Sequence, residues 1–221
     1  MGHRRLLVVL LTILSFACSH KAEKKTVDDW HQYIDSKYQQ DKSIFHNRFI
    51  DHFPKDLHPI EELIFSTIGK YPEIENVGFI LCVKYTKKTL NLIDQKANDM
   101  CIRRYTNTDT CLLVLNKYVT KENIGFKRRL SSKEKMALLK ASKMERVPIP
   151  KFINYPSESN TEYRLPEDYT LYVIEAKSGE FWENKYLMKD AMMPEEWKHG
   201  YSKGIAVSTR RLEVIYWFEI W

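Results

Sequence analysis

Gly200-Tyr201-Ser202-Lys203-Gly204 spells G-x-S-x-G, the pattern that places a serine nucleophile on a strained strand-to-helix turn with its hydroxyl exposed. That chemistry needs a strand before the serine, a helix after it and a histidine base later in the chain. Pro194 to His199 has no strand character, Ile205-Ala206-Val207 favours β structure, and no histidine follows Ser202. The two glycines are read instead as permitting a turn into a hairpin. His46, His52 and His58 recur every six residues, which invites a metal reading. On one helix that spacing rotates a side chain by about 240° net, and Pro54 interrupts any helix between them, so the rings are not expected to converge.

Trp182, Tyr186, Trp197 and Tyr201 gather in a loop-rich stretch near the C-terminus. Exposed, such aromatics stack on sugar rings or anchor a protein partner; buried, they pack the loop onto a sheet. Glu180, Glu183, Glu195 and Glu196 lie among them. Two carboxyls at the right separation would make an acid/base pair of glycosidase type, whereas carboxylates on a solvated loop do nothing of the kind. Neither G-x-x-x-x-G-K nor G-x-G-x-x-G occurs, so no nucleotide cofactor is expected.

Cys82 sits in the apolar run Val77 to Val83 and reads as a small buried hydrophobe. Cys101 and Cys111 flank a polar, turn-rich segment. They form either a disulfide, worth about 3 kcal/mol for a loop of that length, or two separate thiols. Their spacing fits no zinc pattern. Lys127, Arg128, Arg129, Lys133, Lys135, Lys140 and Lys143, with Arg103 and Arg104 elsewhere, are either a solvated face or a patch for phosphate-bearing lipids. With 43% hydrophobic and 29% charged residues, the chain has the balance of a folded protein and not of a disordered one.

The N-terminus carries a different kind of signal. Arg4 and Arg5 precede an apolar run from Leu6 to Phe16, followed by Ala17 and Cys18. This run is far short of the roughly 20 residues that span a bilayer and reads as an export signal covering residues 1–17. Leu14-Ser15-Phe16-Ala17-Cys18 resembles the lipobox of bacterial lipoproteins, although Leu14 stands four places before the cysteine where such boxes usually carry leucine three before. The resemblance covers only these residues. It implies that the Cys18 sulfur receives a diacylglyceryl group and becomes the new N-terminus, and that Ser19 is compatible with the outer membrane. Cleavage at Ser15 and Ala17 by a conventional peptidase, leaving Cys18 unmodified, is the alternative. Loss of residues 1–17 removes Arg4 and Arg5 and lowers the formal net charge from +6 to +4. Export excludes nucleic acid as the partner of this mildly basic chain.

Residues 18–25 read as a charged tether, and 26–221 as one globular domain. Thr26 with Asp29 starts a helix in which Trp30, Tyr33, Ile34 and Tyr38 recur at helical spacing. Further helices are expected over 44–50, from Pro59 to Ile68, over 87–99, and from Ser131 through Met144. Strands are expected at 77–85, 111–115 and 169–175, with a hairpin of 204–208 and 212–221 turning at Thr209-Arg210-Arg211. Both faces of the last strand are apolar, which places it inside a sheet. Pro148, Pro150, Pro156 and Pro166 punctuate a stretch expected to wrap the surface or shape a site.

The fold expected is α+β: a mixed, mainly antiparallel sheet with helices packed on its faces. The function expected is that of a non-catalytic envelope lipoprotein that binds a protein or glycan partner and is held to the membrane by its anchor. The alternative is an envelope hydrolase drawing its carboxylates from residues 175–196.

Overall fold

The structure is a computed structural model that describes residues 27–57, 62–66, 77–106, 109, 111–115, 146–150, 152, 165–166, 168–183 and 193–221. Residues 1–26, the expected helix at 131–144 with the neighbouring basic residues, His58 and Tyr186 lie outside the described residues.

Helix α1 (Val27–Lys42) turns Ile34 and Tyr38, one turn apart, toward the sheet. The Tyr38 ring is fully buried and stacks on Phe79 at 5.8 Å, and its hydroxyl donates to the Pro54 carbonyl at 2.6 Å. Lys42 and Gln39 donate to the carbonyls of Pro54 and Lys55, which ties the following loop to the helix. The short α2 (Asn47–Ile50) is capped by His46, whose Nδ1 accepts from the Arg48 N–H, and it buries Phe49 and Ile50. Helix α3 (Lys87–Met100) starts at the Thr86 cap and inserts Leu90 and Ala97 into the core.

Among the described residues, eight strands form two sheets. They are β1 (Glu62–Ser66), β2 (Val77–Lys84), β3 (Arg103–Thr106), β4 (Leu112–Val114), β5 (Val147–Ile149), β6 (Thr170–Ser178), β7 (Gly200–Ser208) and β8 (Glu213–Ile220). The large sheet has the order β1-β2-β8-β7-β6-β3, antiparallel at every pairing, while β4 and β5 make a separate parallel pair. The α+β architecture with a mainly antiparallel sheet is therefore present.

Alternation along β8 sorts the core. Val214, Tyr216, Phe218 and Ile220 face the helices with Phe79, Leu81 and Phe49. Ile215 and Trp217 face the other way, onto Leu112, Val114, Ile149 and Phe152. Each fully buried Phe, Leu or Ile side chain stabilises the fold by about 1.5–3 kcal/mol, so a strand apolar on both faces belongs in the middle. The hairpin between β7 and β8 closes through Leu212 at φ 57° and is fastened by Asp168. That carboxylate accepts from Ser208 Oγ at 2.6 Å and from Arg210 and Arg211.

Two expectations fail. The segment read as a helix from Pro59 to Ile68 contains β1, paired with β2 from Glu62↔Lys84 to Ser66↔Ile80. A short apolar run between a proline and a glycine satisfies either pattern, and the free edge of β2 selects the strand. The glycines of G-x-S-x-G do not turn the chain either, because all five residues lie inside β7. Glycine is required there by close approach: a β-carbon on Gly204 would stand 2.4 Å from both the Trp217 ring and the Tyr172 carbonyl.

Candidate functional site

On the helix side of β7, Tyr201, Lys203, Ile205 and Val207 point inward together. A lysine in that row must find acceptors, since an unpaired buried ammonium is far costlier than a buried methylene. Lys203, its side chain 6% exposed, donates to the Arg48 carbonyl at 2.5 Å and to Asp51 Oδ1 at 2.9 Å. Glu175 Oε2 lies 3.8 Å away, placed by the β6–β7 register that pairs Glu175 with Lys203 just after a bulge at Val173. Glu175 is also paired with Lys177. Partial burial raises the Glu175 carboxyl, but the hydrogen bonds from Lys177 and Tyr201 outweigh that and hold it below its usual range. Burial and the same carboxylate push the Tyr201 hydroxyl up.

Asp51 is held well below the usual carboxylate range, first by the His52 ring and then, against partial burial, by Lys203. His52 itself is buried, and its pKa is lowered because burial disfavours the imidazolium. Its Nε2 lies 2.9 Å from the Trp217 carbonyl, which only accepts, so the ring proton sits on Nε2. Nδ1 then faces Asp51 Oδ1 at 3.7 Å without a hydrogen bond, so the ring holds that carboxylate down only when it is protonated, and Lys203 does so for the neutral ring.

Aromatic rings form the wall beside these charges. Phe49 meets Tyr201 edge-on at 5.1 Å, and Phe181 meets Tyr201 edge-on at 4.5 Å. Phe45 lies between Phe218 at 4.8 Å and Trp182 at 6.0 Å. The Arg48 guanidinium covers Phe49 and Phe181 at 4.5 and 5.7 Å. Phe45, Phe181 and Trp182 are only half-buried, so this wall has an accessible rim.

The aromatics singled out in the sequence therefore divide. Trp182 and Tyr201 meet at this wall, with Tyr201 buried in its floor. Trp197, in a short 3-10 turn (Glu195–Trp197), packs on Trp221 at 6.1 Å in a separate cluster with Met193 and Leu115, and its carbonyl accepts from Trp221 Nε1. Glu195 and Glu196 are exposed on that turn, and Glu180 and Glu183 are exposed on either side of Phe181 and Trp182.

Ser202 is buried on the sheet face away from His52, where its Oγ lies 3.5 Å from Trp217 Nε1. This is no nucleophile elbow. His46 caps α2 and His52 binds a carbonyl, so these two do not form a metal site. Among the described residues, no three His, Cys, Asp or Glu side chains could share a metal ion, and no helix is long and apolar enough to cross a membrane.

The disulfide alternative for Cys101 and Cys111 is not what the fold contains. Both are free thiols, and they lie on opposite faces of the sheet because the chain between them crosses as edge strand β3. Cys101 packs with the helix-side core and its Sγ contacts the Asn98 carbonyl at 3.3 Å. Cys111 packs with the opposite core, while Cys82 is buried as expected.

Compared with protein-family models, with curated proteins and with solved structures, the chain shows no match. Glu175 falls within the 175–196 stretch from which carboxylates were expected, whereas Phe45, Arg48, Asp51 and Phe181 were passed over. Their one advance signal was Lys203, a cation in the apolar row of a strand, which requires carboxylates nearby.

Proposed function

We propose that the protein is an exported lipoprotein of the bacterial envelope, anchored through Cys18, whose domain binds a protein or glycan partner without chemical turnover. The observation that carries the binding reading is the half-buried aromatic rim of Phe45, Phe181 and Trp182 beside the Arg48 guanidinium. Rings of this kind bury a large apolar area on docking while losing little side-chain freedom, and a neighbouring guanidinium adds directional hydrogen bonds. The charges around it support the same reading. Lys203, Asp51 and Glu175 are spent on one another, and Glu175 is held ionised, the opposite of what a general acid requires.

The anchor reading rests on the basic start, the apolar run and Cys18, as set out from the sequence. Two measurements test the proposal. Cys18→Ala moves the protein from the membrane fraction to the soluble fraction, or leaves an unprocessed precursor; unchanged fractionation overturns the anchor. Envelope extracts passed over the immobilised mature protein yield a partner retained by the native chain and lost with Trp182→Ala. Retention that ignores Trp182 and Phe181 overturns the site.

A further inference from the structure

Trp30 and Tyr33 are each 53% exposed although they belong to a helix that packs on the core. Their rings stack on each other at 5.8 Å and 27°, on the flank away from buried Tyr38. At 100° per residue, Trp30, Tyr33 and Lys37 share that flank. Lys37 pairs with Asp41 one turn on, while Asp35 is turned to the other side, where it accepts from the Leu57 N–H at 2.9 Å. The flank therefore presents two amphipathic rings beside the Lys37–Asp41 ion pair.

We propose that this flank of α1 lies against the headgroup layer of the membrane that carries the anchor and fixes how the domain stands on it. The inference rests on the lipid anchor at Cys18 proposed above. Nine peptide steps separate Cys18 from Val27, a reach of about 30 Å at most, so the start of α1 is confined to the neighbourhood of the bilayer. Trp and Tyr favour the boundary between headgroups and acyl chains, where the ring is desolvated and the N–H or O–H stays wet. Between residues 20 and 29, Lys21, Lys24 and Lys25 balance Glu23, Asp28 and Asp29, so the rings and not net charge carry this contact. Acyl chains alone hold the protein to the membrane without orienting it. A second contact a few residues away removes that freedom.

The test uses the full acylated protein in vesicles of phosphatidylethanolamine and phosphatidylglycerol whose acyl chains carry bromine, a quencher of tryptophan emission. The native protein loses emission in these vesicles relative to unbrominated ones, and Trp30→Phe removes most of that loss while leaving the melting temperature unchanged. Equal quenching of Trp30 by aqueous iodide with and without vesicles overturns the proposal. A concentration-dependent dimer lost in Trp30→Ala also overturns it, by assigning the flank to a second copy of the chain. Mass spectrometry of the mature N-terminus separates the two failures. An acylated protein with an unquenched Trp30 sinks only the orientation, and an N-terminus without fatty chains sinks the anchor and the orientation together.

Discussion

His52 reaches from the end of α2 to the carbonyl of Trp217, placing Nε2 2.9 Å from the oxygen of a residue in the middle of the sheet. Burial lowers the pKa of this ring below its ordinary 6.5, so the unfolded chain takes up the proton first as pH falls. The stability it contributes is full above about pH 6.5 and is lost as pH drops through the folded-state value. Thermal melts between about pH 7 and about pH 5 should show a falling Tm. His52→Gln, whose amide keeps a donor for the carbonyl, should flatten that slope.

A second acid transition belongs to Asp168. Partial burial raises its carboxyl, yet Arg210, Ser208 and Arg211 together hold it at about 2, below the ordinary 3.8. Its contribution is present above pH 3.8 and is lost as pH falls toward about 2. Asp168→Asn should weaken the β7–β8 turn at neutral pH and remove this lower transition. Unfolding followed by near-UV circular dichroism separates it from the His52 step.

Gly204 lies under the Trp217 ring and beside the backbone oxygen of Tyr172, each 2.4 Å from where a β-carbon would stand. Neither neighbour is the loose end of a flexible chain. Gly204→Ala should cost about 3 kcal/mol, roughly 6–12 °C in Tm for a domain of this size. Ser202→Ala, on the same face of β7, removes only a long hydrogen bond and should cost at most about 1 kcal/mol. Calorimetry on the pair tests whether close packing, and not the hydroxyl, is what this strand requires.

Asp51 and Lys203 differ sharply in exposure, with side chains 58% and 6% accessible. Removing the exposed carboxylate strands the buried ammonium, whereas removing the ammonium leaves a carboxylate that water can solvate. Asp51→Ala should therefore destabilise by about 1–2 kcal/mol, discounted for its solvent exposure, and Lys203→Met by less. Equal losses in denaturant unfolding would mean that Arg48 and Glu175 already satisfy the lysine.

Cys101 and Cys111 should both react with a maleimide in the native state, and Cys82 only after unfolding. Intact mass before and after reduction should be identical among these three residues. A loss of two hydrogens joining Cys101 to Cys111 would contradict the placement of the thiols on opposite faces.

What could be read in advance follows from how local each signal is. Both faces of β8 are apolar in the sequence itself, so its central position was legible before any pairing was known. Helix α3 was legible from Leu90 and Ala97 two turns apart. β1 was not, because its state depends on an edge of β2 that no local pattern reveals. Trp30 and Tyr33 recur at helical spacing yet face outward, since periodicity identifies a helix but not which of its flanks meets the core. The aromatic wall joins α2 to β6 and β7, which lie far along the chain from it, and in the sequence only Trp182, Tyr201 and Lys203 pointed to it.

The β1–β2 hairpin and the β6–β7 pair touch the same sheet only through β8, which lies between β2 and β7 but comes after all of them in sequence. Until that strand emerges, the chain has two half-sheets with raw edges and nothing to bridge them. Long-range closure of this kind slows folding. The tail of the domain therefore acts as the zip: the two half-sheets are drawn shut only once β8 is available to both.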